Sequence, residues 1–287
     1  MEPRAGASGR WCGEDTRPAT PRHAGPGKRT ESAIDSKDAG GTAHLPITGE
    51  RTVPGVSREN YWFRRHEAVY AALSPRCRGG VVLEAGCGEG YGADLLAGVA
   101  SRVLALDYDG LAIGHAARRY PRVAAARANL VGLPVRAAAV DTVVSLQVVE
   151  HLWDQERFLR ECRRVLRPGG TLVVSTPNRL TFSPGRDTPL NPFHTRELAA
   201  SELAGLLADA GFVDIELAGL RHGARLRALD AAHGGSLVDT LTALAVSGAE
   251  WSPRLAADVA SVTTADFVLD ASGLDACLDL VGIAARP

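Results

Sequence analysis

The stretch Val81-Val82-Leu83-Glu84-Ala85-Gly86-Cys87-Gly88-Glu89-Gly90-Tyr91-Gly92 runs an apolar strand into a glycine-dense turn and then a helix. Glycines let the backbone turn tightly and approach a ligand closely, with amide groups exposed at the helix start. Outward from this turn, apolar runs bounded by Gly, Pro or Asp alternate with longer helical patterns. Strands are expected at 81–85, 102–106, 122–126, 142–147, 170–175, 213–218 and 278–285. Helices are expected near 92–100, 110–120, 155–166 and 195–210, the third stopped by Arg167-Pro168-Gly169-Gly170. A long, largely helical stretch fills about 221–277. This alternation predicts a doubly wound α/β fold: a seven-stranded, mostly parallel sheet with helices on both faces and its ligand at the carboxyl ends of the strands.

Composition narrows the function classes. Of 287 residues, 45% are hydrophobic and 23% charged, which excludes a fibre, a coiled coil or a wholly disordered chain. No apolar run reaches the length of a membrane span. With 32 basic against 33 acidic residues, the net charge of -1 gives no pull toward nucleic acid. Lys28 and Lys37 are the only lysines, so no catalytic lysine is available in the region expected to fold. The five cysteines include no CxxC pair, which fits neither a disulfide framework nor a zinc site and suits a reducing cytosol. Residues 1–46 hold seven Gly, five Pro and thirteen charges and read as a disordered tail, leaving 47–287 as one folded domain. A cytoplasmic protein with a small-molecule or carbohydrate partner is expected.

Two cofactor classes use a turn of this kind. The dinucleotide fingerprint GxGxxG fails here, because its third glycine falls on Tyr91. What stands instead is E-x-G-x-G-x-G across Glu84, Gly86, Gly88 and Gly90, with Asp107 ending the next strand nineteen residues after Gly88. A carboxylate there can accept both ribose hydroxyls of a nucleoside, although Asp at a strand's end is also a common turn residue. The motif resembles the first motif of class I S-adenosylmethionine (SAM)-dependent methyltransferases. The strings DTVVSLQVVEHLWD (141–154), RRVLRPGG (163–170) and STPN (175–178) resemble the small-molecule branch of the same superfamily. The resemblance implies SAM as cofactor and an antiparallel last strand. It places Asn129 and Leu130 at the adenine, with Asn replacing the usual acid, and Gln147 beside the methionyl part. Glu89 reads as a solvated helix-start residue and Cys87 as a small packing residue.

The strings ITGERT (47–52), ENYWFRRH (59–66), TFSPGRDTP (181–189), NPFHTREL (191–198), HGGS (233–236) and VTTADF (262–267) are similar to one narrower group. It is the actinobacterial sugar 1-O-methyltransferase of methylmannose polysaccharide biosynthesis. That likeness implies methylation of the reducing-end hydroxyl of a short methylated α-1,4-mannoside, with a small oligosaccharide as partner. A sugar hydroxyl needs a general base within hydrogen-bond reach. His151, with Glu150 and Asp154 as orienters, and His194 are the candidates. His151 could instead pin a loop, and His194 could cap the helix expected from Thr195. Asp154 and Asp187 could hold a divalent metal such as magnesium, or be solvated loop acids. Tyr61 and Arg64 fit a lid over SAM with a cation on the methionyl carboxylate, or an amphipathic first helix. Trp251, His222, Arg225 and His233 fit an acceptor pocket or homodimer packing. A quinone, phenol or lipid acceptor, and a SAM-binding module without catalysis, are the competing readings.

Overall fold

The computed structural model describes residues 51–287. The tail expected over residues 1–46 lies outside the described residues.

The chain enters on α1 (Asn60–Leu73) and then follows the alternation that the apolar runs predict. β1 (Val81–Ala85), α2 (Tyr91–Ala97), β2 (Arg102–Asp107), α3 (Gly110–Arg119), β3 (Val123–Arg127) and β4 (Val140–Leu146) form the first half. α4 (Gln155–Val165), β5 (Leu166–Pro177), α5 (Arg179–Phe182), α6 (Ala200–Asp209) and β6 (Val213–His222) follow. α7 (Ala224–Ala232), α8 (Leu237–Ser247), α9 (Pro253–Ala260), β7 (Phe267–Asp270) and β8 (Asp279–Ala285) close the chain. Among the described residues, no helix is long and apolar enough to cross a membrane.

The strands form one sheet in the order β3-β2-β1-β4-β5-β8-β6-β7. β1 to β5 pair in parallel, whereas β8 runs antiparallel to both β5 and β6. The expected count of seven is corrected to eight. The segment 221–277 carries three helices and also β7, a four-residue edge strand paired only with β6. Burial on both faces explains why the central strands read as continuous apolar runs. Leu83 and Leu172 face α4 and α6, while Val82 and Val173 face α1, α2 and the helices of the late insert.

α6 begins five residues later than its pattern predicts, because Thr195 is used elsewhere. Its amide donates to the Glu150 carbonyl (2.7 Å), and its hydroxyl lies 2.7 Å from the Leu152 carbonyl. These bonds tie the loop after β5 to the turn after β4.

α1 is fastened to the far half of the sheet by a buried ion pair. The Arg65 guanidinium donates from Nε and Nη2 to the two carboxylate oxygens of Asp279, each at 2.6 Å. Both side chains are almost fully buried. Such a pair stabilises little in net terms, but losing one partner strands a charge in the interior. Asp279→Ala should therefore lower unfolding free energy by roughly 3–5 kcal/mol, read from urea denaturation of the whole chain. A loss below about 1 kcal/mol would show that water reaches Arg65 and that the fastening is unimportant.

Candidate functional site

The strand order reverses between β1 and β4, and in open α/β sheets the crevice at that point takes the ligand. The turn leaving β1 is tied to β2 by the amides of Gly86 and Cys87, which donate to the Leu106 carbonyl at 2.7 and 3.0 Å. Gly86 has φ +89°, and a Cβ there would lie 2.3 Å from Cγ2 of Val148. Gly90 caps α2 at φ +101°, where a Cβ would meet that of Ala116 at 2.8 Å. At both positions a side chain is excluded by conformation and by contact.

Around this turn lie the polar groups that the motif predicts. Gly88 donates its amide to Oδ2 of Asp107 (2.8 Å), and Asp109 donates to Oδ1 (2.9 Å). Each oxygen keeps a further lone-pair direction, which is what a pair of vicinal hydroxyls requires. Glu84 is fully buried; its Oε1 accepts from the Tyr70 hydroxyl while Oε2 has no partner. Burial pushes its carboxyl up to about 8. Gln147 sits at the end of β4 with φ +57°, its side chain donating to the Ser175 hydroxyl. A non-glycine residue in that conformation at a strand's carboxyl end marks stored strain beside a binding crevice. Asn129 is exposed, its Oδ1 accepting from the Val131 amide, and Leu130 is buried beside it.

These groups fit SAM: a turn with glycine at every second position that lets backbone approach a ligand, a carboxylate at the β2 end, and the Glu84 oxygen without a hydrogen-bond partner. Phe63, from the aromatic-cationic block expected as a lid, lies over this turn, but sequence reasoning missed Arg51 and Thr52 beside it. Arg51 pairs with Asp109 (2.7 Å), Thr52 lies 3.3 Å from the Tyr91 hydroxyl, and Phe63 packs on Tyr91. Glu89 is not solvated. It is buried, and it accepts from the Tyr120 hydroxyl and the Tyr91 amide, with His115 Nε2 at 2.6 Å. Cys87 is a buried packing residue whose thiol is pushed up by burial.

The block expected to form a lid divides its residues. Tyr61 is wholly buried, its hydroxyl 2.6 Å from Nε2 of His222, so it faces the insert rather than the glycine turn. Arg64 pairs with Glu67 one turn on. The insert residues are also engaged: His222 with Asp230, Arg225 with Asp266, His233 with Asp258, and Trp251 with the Arg58 guanidinium.

The two candidate histidines meet, with ring centroids 4.8 Å apart and edge to face. Nδ1 of His151 lies 3.0 Å from the Phe193 carbonyl, which can only accept, so Nδ1 carries the proton and Nε2 keeps its lone pair. Burial, reinforced by the neighbouring His194, lowers the proton affinity of this ring. His194 is occupied at both ends: Nδ1 donates to Glu197 (2.7 Å) and Nε2 accepts from Asn191 (3.0 Å). Neither expected orienter holds His151. Asp154 caps α4 by accepting from the Arg157 amide. Glu150 is buried with Oε2 unpartnered, and burial pushes its carboxyl up to about 8.

Glu150, His151 and His194 place one ligand atom each within 4.8 Å of one another. Magnesium prefers oxygen donors, and His194 could join only by giving up a hydrogen bond. Asp154 and Asp187 are exposed, and Asp154 accepts from the Arg157 amide through Oδ1 alone. The histidine cluster does not fit magnesium.

A family model described as a methyltransferase domain matches residues 83–174. A probable SAM-dependent methyltransferase of Mycobacterium tuberculosis (strain H37Rv) is 60% identical over 277 residues, 94% of this chain and 98% of its own. A probable one from Mycolicibacterium smegmatis is 60% identical over 246 residues, 85% of this chain and 96% of its own. The solved structure of a SAM-dependent methyltransferase from Thermotoga maritima, titled a possible histamine N-methyltransferase, superposes with TM-score 0.55 at 18% identity. It covers 79% of this chain and 93% of its own, a likeness of fold.

The carboxylate at the β2 end gives the sharpest test of this crevice. Asp107→Ala should weaken S-adenosylhomocysteine binding by roughly 1.5–3 kcal/mol in calorimetry, the scale of a lost charge-assisted hydrogen bond. NAD should not bind comparably. Unchanged affinity in the variant would remove Asp107 from the cofactor site.

Proposed function

The chain belongs to the SAM-dependent methyltransferases, and on that premise we propose that it methylates a sugar hydroxyl, with His151 as general base. The acceptor is the 1-OH of a short methylated mannoside, as the resemblance to the methylmannose polysaccharide enzymes implies. One observation carries the base assignment: the Phe193 carbonyl fixes the Nδ1 proton of His151, which leaves Nε2 as a lone pair just beyond the carboxyl end of β4.

SAM supplies an electrophilic methyl group on a sulfonium. The chain contributes placement and proton transfer. The glycine turn would bring backbone close to the cofactor, Asp107 would accept the ribose hydroxyls, and Glu84 Oε2 would accept from the methionyl ammonium. Gln147, strained at the end of β4, borders the same crevice. His151 Nε2 would take the proton of the acceptor hydroxyl as its oxygen bonds to the methyl carbon and the methyl–sulfur bond breaks, S-adenosylhomocysteine leaving as a neutral thioether, and would pass that proton to solvent. The anomeric hydroxyl is somewhat more acidic than its neighbours, which lightens the task. His194 is a positioning residue. Its two hydrogen bonds fix its ring, and that ring's face-to-edge contact holds His151.

His151→Ala should cut single-turnover methyl transfer to a mannoside by about 10²–10⁴-fold while leaving S-adenosylhomocysteine affinity unchanged. His194→Ala should cost less, and its loss should include misalignment of His151. Full activity in a folded His151→Ala chain would exclude the base role.

The pH profile is an independent check. Only neutral imidazole accepts a proton, so the rate rises with pH as His151 deprotonates. Because burial lowers its proton affinity, the acid limb should have its midpoint below the ordinary histidine value of 6.5. A midpoint above that value would contradict the environment described for His151.

A further inference from the structure

A cavity separate from the glycine turn opens at the same edge of the sheet. Its wall includes Thr181 and Phe182 just after β5, His222 at the end of β6 and Leu278 just before β8. β8 is antiparallel, so its start lies at the carboxyl ends of β5 and β6. The cavity measures about 170 Å³, far above the roughly 10–15 Å³ that one water needs, so it has room for a ring-sized ligand. Neither histidine lines it, but its wall residue Phe182 leads to them: the Phe182 ring lies 5.5 Å from that of His194, which contacts His151.

The polar groups on this wall point to one ligand chemistry. Arg65 reaches it as a nearly fully buried cation. Asp279 engages its Nε and Nη2, while Nη1 is buried without a well-formed hydrogen bond, although the Tyr61 hydroxyl stands close to the guanidinium. An N–H in that state costs free energy unless something accepts from it. Asp230, held by His222 at 2.6 Å, and the exposed Asp239 bring carboxylates to the same wall. Two carboxylates oppose an anionic ligand, and a guanidinium with two acids opposes a quinone or lipid tail. Vicinal hydroxyls suit both, since they accept from the guanidinium and donate to the acids.

We propose that this cavity is the acceptor pocket, and that Arg65 Nη1 and Asp239 hold hydroxyl oxygens of a neutral polyhydroxylated acceptor next to His151. The proposal rests on the reading of the chain as a sugar methyltransferase. It assigns acceptor specificity to α1 and to the start of α8, away from the cofactor turn.

Steady-state kinetics at saturating SAM test it, with a short α-1,4-linked mannoside bearing a free anomeric hydroxyl as the probe. Arg65→Lys keeps a cation for Asp279 but removes the forked donors. Asp239→Arg changes an exposed rim residue and leaves the core untouched. Each should raise KM for the mannoside by roughly 10- to 100-fold, with kcat changed less than about threefold and S-adenosylhomocysteine affinity unchanged. If the wild-type chain transfers no methyl to the mannoside, the sugar reading fails and this proposal falls with it. If the wild type is active and both variants keep its KM, the pocket alone is overturned. Should Arg65→Lys fail to fold, Asp239→Arg decides: an unchanged KM overturns the pocket and a raised one supports it.

Discussion

No side chain fits at Gly86 or Gly90, the two ends of the turn from β1 to α2, and the organisation of the site depends on that exclusion. Val148 occupies the space that a Cβ on Gly86 would need, and Ala116 occupies the space beside Gly90. The turn can then lie against β2, close enough for the Gly88 amide to reach Asp107. The same contact brings Val148, three residues before His151, against the turn. The groups proposed for the cofactor and the base candidate are therefore placed by one backbone approach.

The second constraint is electrostatic. Two buried carboxyl groups and one half-buried imidazole lie near this edge, and each shifts toward its neutral form. Glu84 and Glu150 are pushed up to about 8, and His151 is lowered. For the two acids the folded state favours the protonated form. Their contribution to stability is present at low pH and falls as pH rises from the ordinary carboxyl range toward about 8. For His151 the same desolvation suits a proton acceptor at neutral pH.

Much of this was legible in the sequence because burial on two faces leaves a plain signature. β1, β2, β4 and β5 are apolar runs, and their central residues match the expected strands. Gly88 meets Asp107 through its amide, and the Gly86 amide ties the same turn to the end of β2. What escaped was whatever depends on partners far apart in the chain. Arg65 and Asp279 are 214 residues apart, and nothing local in ENYWFRRH distinguishes Arg65, which is buried, from Arg64, which pairs with Glu67. The sequence leaves Tyr61 between a lid and an amphipathic first helix, because an aromatic residue near a cation looks the same on a lid or in a core. β7 escaped because four residues at a sheet edge carry too little periodicity to stand out from a helical stretch. His151 and His194 were both visible as candidates. Only their hydrogen-bond partners separate them, since Asn191 and Glu197 use both nitrogens of His194 while Phe193 uses one of His151.

The central claim is that His151 stands neutral, with its proton on Nδ1 and its Nε2 open. Nitrogen-15 NMR of the imidazole rings in the whole chain, titrated with pH, observes this directly. The account predicts the Nδ1–H tautomer for His151 at neutral pH, with protonation midpoint below 6.5. An Nε2–H tautomer, or a ring still protonated at pH 7, would contradict it.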